Sequence, residues 1–182
     1  MKKLIIAAFA LAAIAIAPNA NAQTKMVGGA AMYPTKNIVE NAVNSKDHTT
    51  LVAAVKAAGL VETLSSAGPF TVFAPTNEAF NKLPKGTVET LVKPENKAAL
   101  TKILTYHVVA GKVSAADLMA KIKAGKGTAK LTTVSGGVLK AMMAGKKIYL
   151  VDEKGGKSWV TIADINQSNG VIHVVNTVLM PN

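Results

Sequence analysis

The chain has 182 residues, no cysteine, and a formal charge of +11 built from lysine alone, without a single arginine. The missing thiols exclude disulfides, thiolate metal sites and thiol catalysis. Lysine without arginine argues against nucleic-acid readout, which relies on the planar bidentate guanidinium; the dispersed lysines read first as a solvated, solubilising surface and, alternatively, as diffuse attraction towards acidic polysaccharide or lipid headgroups.

In chain order, the first feature is an export signal over residues 1–22. Lys2 and Lys3 form a basic start, Leu4 to Ala17 an apolar run, and Ala20-Asn21-Ala22 a small-residue cleavage site. The apolar run is shorter than the roughly 20 residues a spanning helix requires. Cleavage would place the mature start at Gln23, in a periplasmic or extracellular setting, with no integral membrane segment left. Residues 23–36 hold Gly28, Gly29 and Pro34 with little periodicity, and are expected to be a flexible lead-in.

The body begins helical. Asp47 is the expected N-cap of a helix whose apolar stripe is Leu51, Ala54, Val55 and Ala58, stopped at Gly59. Phe70 to Phe73 reads as a short strand, and Thr76 caps a helix through Ala79, Phe80 and Leu83 up to Pro84. Pro94 suits the first turn of a helix burying Leu100, Ile103 and Leu104. Ser114 to Asp117 forms a capping box ahead of Leu118, Met119 and Ile122.

After Gly127 the period changes to that of strands. Lys130 to Val134, Val138 to Met143, Lys147 to Val151, Ser158 to Ile162 and Val171 to Val175 are short β-rich runs separated by glycine turns. Asn169-Gly170 is expected to make a tight hairpin turn with positive φ at both residues. Helices followed by strands predict an α+β fold.

Catalytic groupings are missing. Ser135 lacks the glycine two positions earlier that a nucleophile elbow requires. Asp152-Glu153 is expected to fall in a hairpin turn beside Lys154 and Gly155, where solvation would keep both acids ionised. His48, His107 and His173 belong to separate elements without metal-ligand spacing, and His107 and His173 are expected to be structural. No enzyme activity, metal or cofactor is predicted.

Thr71-Val72-Phe73-Ala74-Pro75-Thr76-Asn77-Glu78-Ala79-Phe80 resembles the first signature block of fasciclin domains. Asn169-Gly170-Val171-Ile172-His173-Val174-Val175 through Val178-Leu179-Met180-Pro181 resembles the second, and Leu104-Thr105-Tyr106-His107-Val108-Val109 resembles the tyrosine-histidine segment between them. The likeness covers nearly the whole mature chain, so residues 37–182 are taken as one fasciclin-like domain. It implies a wedge of short strands in two packed sheets with helices clustered along one side.

The likeness also implies an adhesion or interaction module, expected to be a monomer, that binds a cell-surface or matrix protein or an acidic polysaccharide. In matrix members two regions are tied to partner contact. They correspond here to Tyr106 and His107 with Leu104, Val108 and Val109, and to Asp164 with Ile165. That assignment requires Tyr106, His107 and Asp164 to be exposed and near one another. An alternative role implied by the family is carriage of an apolar ligand such as a carotenoid or lipid, in a groove lined by Val109, Met119, Met142 and Met143.

Overall fold

A computed structural model describes residues 24–182; the expected export signal lies outside the described residues. Two short strands, β1 (Lys25–Val27) and β2 (Ala30–Met32), come first, followed by α1 (Ile38–Ala42), a 3-10 turn (Lys46–His48), α2 (Thr49–Ala58) and α3 (Val61–Ser65). Next are β3 (Phe70–Pro75), α4 (Asn77–Asn81), α5 (Thr87–Leu91), a 3-10 turn (Pro94–Asn96) and α6 (Lys97–Tyr106). The chain continues through β4 (Val108–Ala110), α7 (Ala115–Ala124), β5 (Thr128–Thr132), β6 (Val138–Ala144), β7 (Lys147–Val151), β8 (Lys157–Gln167) and β9 (Gly170–Val175).

β1 and β2 form a separate hairpin, while the other strands share a hydrogen-bonded order β4-β3-β9-β8-β7-β6-β5. β3 and β9 are parallel and the remaining pairs antiparallel. β8 carries register shifts between Val160 and Ile162 and between Ile162 and Ile165, where the sheet folds over into two packed halves. Its outer edges meet: Val109 bridges to Thr133, and the Val134 N–H donates to the Val108 carbonyl at 2.8 Å.

Strand alternation splits the interior in two. Val72 and Ala74 of β3 and Ile172 and Val174 of β9 face a helix-side core with Ile38, Leu51, Val55, Leu100, Ile103 and Leu104. Phe73 and Val175, one residue out of phase, face a strand-side core with Leu131, Leu139, Ala141, Ile148 and Leu150. α7 is the helix that sits on this second core, through Leu118 and Ile122.

Several expectations are corrected. Residues 25–32 form a hairpin rather than a flexible segment, because Val27 and Met32 are buried in the helix-side core and Lys25 Nζ donates to the Ala163 carbonyl at 2.5 Å. Asp47 does not cap α2; the Asn77 side chain from α4 does, accepting from the Thr50 N–H at 3.0 Å and donating to the Lys46 carbonyl. Ser158 to Ile162 is the start of an 11-residue strand, whose bulges interrupt the alternation that would otherwise reveal its length.

The turn before β9 consists of Ser168 and Asn169, and neither Asn169 nor Gly170 has positive φ. Glycine is required at 170 for another reason. A Cβ there would lie 2.0 Å from the Phe70 carbonyl oxygen, so only glycine lets β9 approach β3 this closely. Thr76, Gly59 and the Ser114–Asp117 box do cap their helices as the spacing predicts.

Candidate interaction site

Tyr106 is the last residue of α6, and its ring passes from the helical layer into the strand-side core, where it is fully buried. Its hydroxyl donates to the Val138 carbonyl at 3.0 Å and accepts from the Glu153 N–H at 3.2 Å. Burial foremost raises its pKa to about 12, so it stays a neutral donor. Gly137 clears the ring's path: a Cβ there would lie 2.6 Å from Tyr106 Cε2.

His107 caps α6. Its Nδ1–H donates to the Ile103 carbonyl at 2.9 Å, and its Nε2 accepts from the Leu179 N–H at 3.0 Å, tying the helix to the C-terminal segment. Burial lowers its pKa to about 4, against partial opposition from the Ile103 carbonyl and the Asp152 charge. His173 is the same device in β9. Nε2 donates to the Val113 carbonyl at 2.9 Å, Nδ1 accepts from the Asp164 N–H at 3.3 Å, and the ring stacks on Phe73. Burial likewise holds it below the ordinary histidine range. His48 is buried too, with Nδ1 against Ser45 Oγ at 2.9 Å.

Asp164 sits in the β8 bulge at φ 56°, a left-handed conformation that aspartate tolerates better than most residues. Its carboxylate accepts from the Ala115 N–H at 2.7 Å, satisfying a free amide at the start of α7. Ile165, beside it, is buried in the helix-side core.

The residues expected to meet a partner are therefore mostly interior. Leu104, Tyr106, His107, Val108, Val109 and Ile165 are buried, and Asp164 is partly buried and engaged with α7. Tyr106 and His107 are tied to Val138, Glu153, Ile103 and Leu179, whereas Asp164 is tied to Ala115 and His173. Their side chains offer a partner no common surface. Physically, they are the polar fasteners of a core without disulfides.

Asp152 and Glu153 also serve the backbone rather than water. Asp152 is buried and accepts from the N–H groups of Lys154, Gly156 and Met180. Glu153 accepts from those of Val138 and Asn182, which lower its pKa. Among the described residues, no three His, Cys, Asp or Glu side chains gather as a metal site.

The four residues expected to line a ligand groove do not share one. Val109, Met119 and Met143 belong to the strand-side core, whereas Met142 is on the outer face of β6, its sulfur accepting from the Tyr149 hydroxyl at 3.6 Å. Two apolar cavities lie under the helices instead. They measure about 40 Å³, between α1, α2, α3 and β3, and about 30 Å³, beneath β2 and β9.

The open chemistry lies on the outer face of β5 to β8. Tyr149 pairs across strands with Trp159, their rings 4.9 Å apart, and Lys157 Nζ lies 5.7 Å from the Tyr149 ring centre. Lys147, Trp159, Val160, Thr161 and Asn176 line an open cleft of about 580 Å³. The period-2 pattern of Lys147 to Val151 already places Lys147 and Tyr149 on one face; only the strand order brings Trp159 beside them.

The fasciclin domain profile matches residues 46–181. The chain belongs to the fasciclin family. Protein sll1483 of Synechocystis sp. is 46% identical over 159 residues, covering 87% of this chain and 81% of that protein. Immunogenic protein MPB70 of Mycobacterium bovis is 33% identical over 194 residues, covering 96% of this chain and 92% of that protein. In structure, a FAS1 domain pair from the insect cell adhesion molecule fasciclin I superposes with a TM-score of 0.71 at 17% identity. That match covers 80% of this chain and 51% of the pair, so the likeness is one of fold. The α+β wedge of packed strands and clustered helices is thus the fasciclin fold. No helix among the described residues is long and apolar enough to cross a membrane.

Proposed function

We propose that the chain is an exported, non-enzymatic adhesion or interaction module acting in the periplasm or outside the cell, where its outer surface binds a protein or polysaccharide partner. The observation that carries this reading is the use made of the ionisable groups. Tyr106, His107, His173, Asp152 and Asp164 each bond to backbone amides or carbonyls inside the fold, and none converges on a polar cleft where a substrate would sit. Membership of the fasciclin family and the fold shared with an insect cell adhesion molecule support it further.

The test is binding of the full-length chain to purified envelope fractions of its host and to a glycan array. Saturable binding to at least one component is expected; none in either format overturns the reading. Carriage of a carotenoid or lipid is less favoured. Cavities of about 40 and 30 Å³ are near the size of a few waters at most, so an elongated ligand would have to part the helices.

A further inference from the structure

The outward positions of β5 to β8 form rows across the sheet. One row runs Lys130, Lys140, Val151, Lys157, each directly opposite the next. The neighbouring row runs Thr128, Met142, Tyr149, Trp159. Lys147 lies on the far side of the second row, beside Trp159 in the open cleft. Half-buried aromatic rings thus form a shallow ribbon, about 10 Å across at the usual strand spacing, with ammonium groups along both margins.

Two features of this face work against the stability of the isolated domain. Lys130 and Lys140 are directly opposed in register, an arrangement that is destabilising for like charges. No outward position on these strands between Thr128 and Thr161 carries an acid to offset them. A polyanion laid along the row would relieve that repulsion.

We propose that this face binds an anionic, uronate-bearing polysaccharide, with sugar rings resting on Tyr149 and Trp159 and carboxylates meeting Lys130, Lys140, Lys147 and Lys157. The proposal rests on the interaction-module reading and names its surface and ligand class. A pyranose ring is apolar on its faces and polar at its edge, so it suits a pair of half-buried aromatic rings, tilted 43° to each other, bordered by charge. Ammonium groups are compact point charges that meet spaced carboxylates, whereas bidentate phosphate or base contacts would call for arginine, which this chain lacks.

Trp159 is the sole tryptophan of the chain and reports on its own site. Full-length protein is titrated with polygalacturonate, with neutral dextran and with phosphatidylglycerol vesicles, following tryptophan emission and, separately, affinity by biolayer interferometry. The expected result is a saturable emission change with polygalacturonate and none with dextran. Trp159→Ala should weaken binding about tenfold, with Trp159→Phe retaining most of the affinity. Lys147→Gln with Lys157→Gln should reduce the slope of log affinity against log salt by about 2. A far-ultraviolet spectrum confirms that each variant is folded.

Polygalacturonate binding that ignores these variants places the site elsewhere and overturns the proposal while leaving the interaction-module reading intact. So does failure to bind polygalacturonate by a chain that binds another envelope component. Emission changes with vesicles and not with polygalacturonate replace the glycan with lipid. Failure to bind any envelope component removes the module reading as well.

Discussion

Tyr106 and Tyr149 stand on opposite faces of the same wall of strands. Tyr106 is sealed inside, and both hydrogen-bonding capacities of its hydroxyl are used within the chain. Tyr149 lies on the outer face, its ring against Trp159 and its hydroxyl engaged, among the described residues, only by the weak acceptor sulfur of Met142. The tyrosine in the family's recognisable segment holds the fold, and the tyrosine outside it is available to a ligand. In this domain most motif residues line the interior, and the proposed binding face is one where aromatic and charged groups point outward.

The contrast breaks most directly at Tyr106. Tyr106→Ala removes a fully buried ring and leaves the Val138 carbonyl and Glu153 N–H without a partner. It should cost about 3–5 kcal/mol, read as a lower denaturant midpoint, a large part of the stability of a domain this size. Retention of wild-type stability would mean that the ring is not the fastener described. Gly137→Ala attacks the same contact from the other side and should cost roughly 1–3 kcal/mol through overpacking.

The buried histidines give the next effect. Burial pulls His107 from 6.5 to about 4, so between those values the unfolded chain takes up a proton that the folded chain refuses. Stability should be undiminished above pH 6.5 and fall by up to about 3 kcal/mol as the pH drops to 4. His48 and His173 are lowered in the same direction and deepen the loss. Urea midpoints at pH 7 and pH 4 measure it. His107→Gln, though less stable at pH 7, should show a shallower decline, and an unchanged decline would remove His107 as its source.

The smallest effect belongs to the outer face. Tyr149→Ala should cost only about 1 kcal/mol, the value of a cross-strand aromatic pair on a solvated sheet. If thermal melting showed a loss as large as that of Tyr106→Ala, Tyr149 would be a second core residue and the contrast would collapse.

Much of the scaffold was legible in the residues because it rests on short-range rules. Thr76, Ser114 with Asp117, and Gly59 act within one helical turn of their own position, so their caps could be read directly. The hairpin over residues 25–32 has no signature of its own, because its strands are three residues each and owe their burial to packing against α1 and β8, not to their own pattern. Asn169 illustrates the same limit. Its side chain accepts from the Ile38 N–H and donates to the Leu64 and Ser66 carbonyls, ties to residues more than 100 positions away that no local spacing reveals.

By itself the sequence determined the longer helices and the later strands, the α+β order, the absence of disulfides and membership of the fasciclin family, since periodicity, caps and motif order are properties of neighbouring residues. Tertiary structure decided which residues of different elements share a face and where the motif side chains end up. Strand order and register placed Tyr106, His107 and Ile165 in the interior and aligned Lys130 with Lys140 and Tyr149 with Trp159 on the outside. Exposure is set by contacts between distant segments, and a motif carries no record of which contacts those will be.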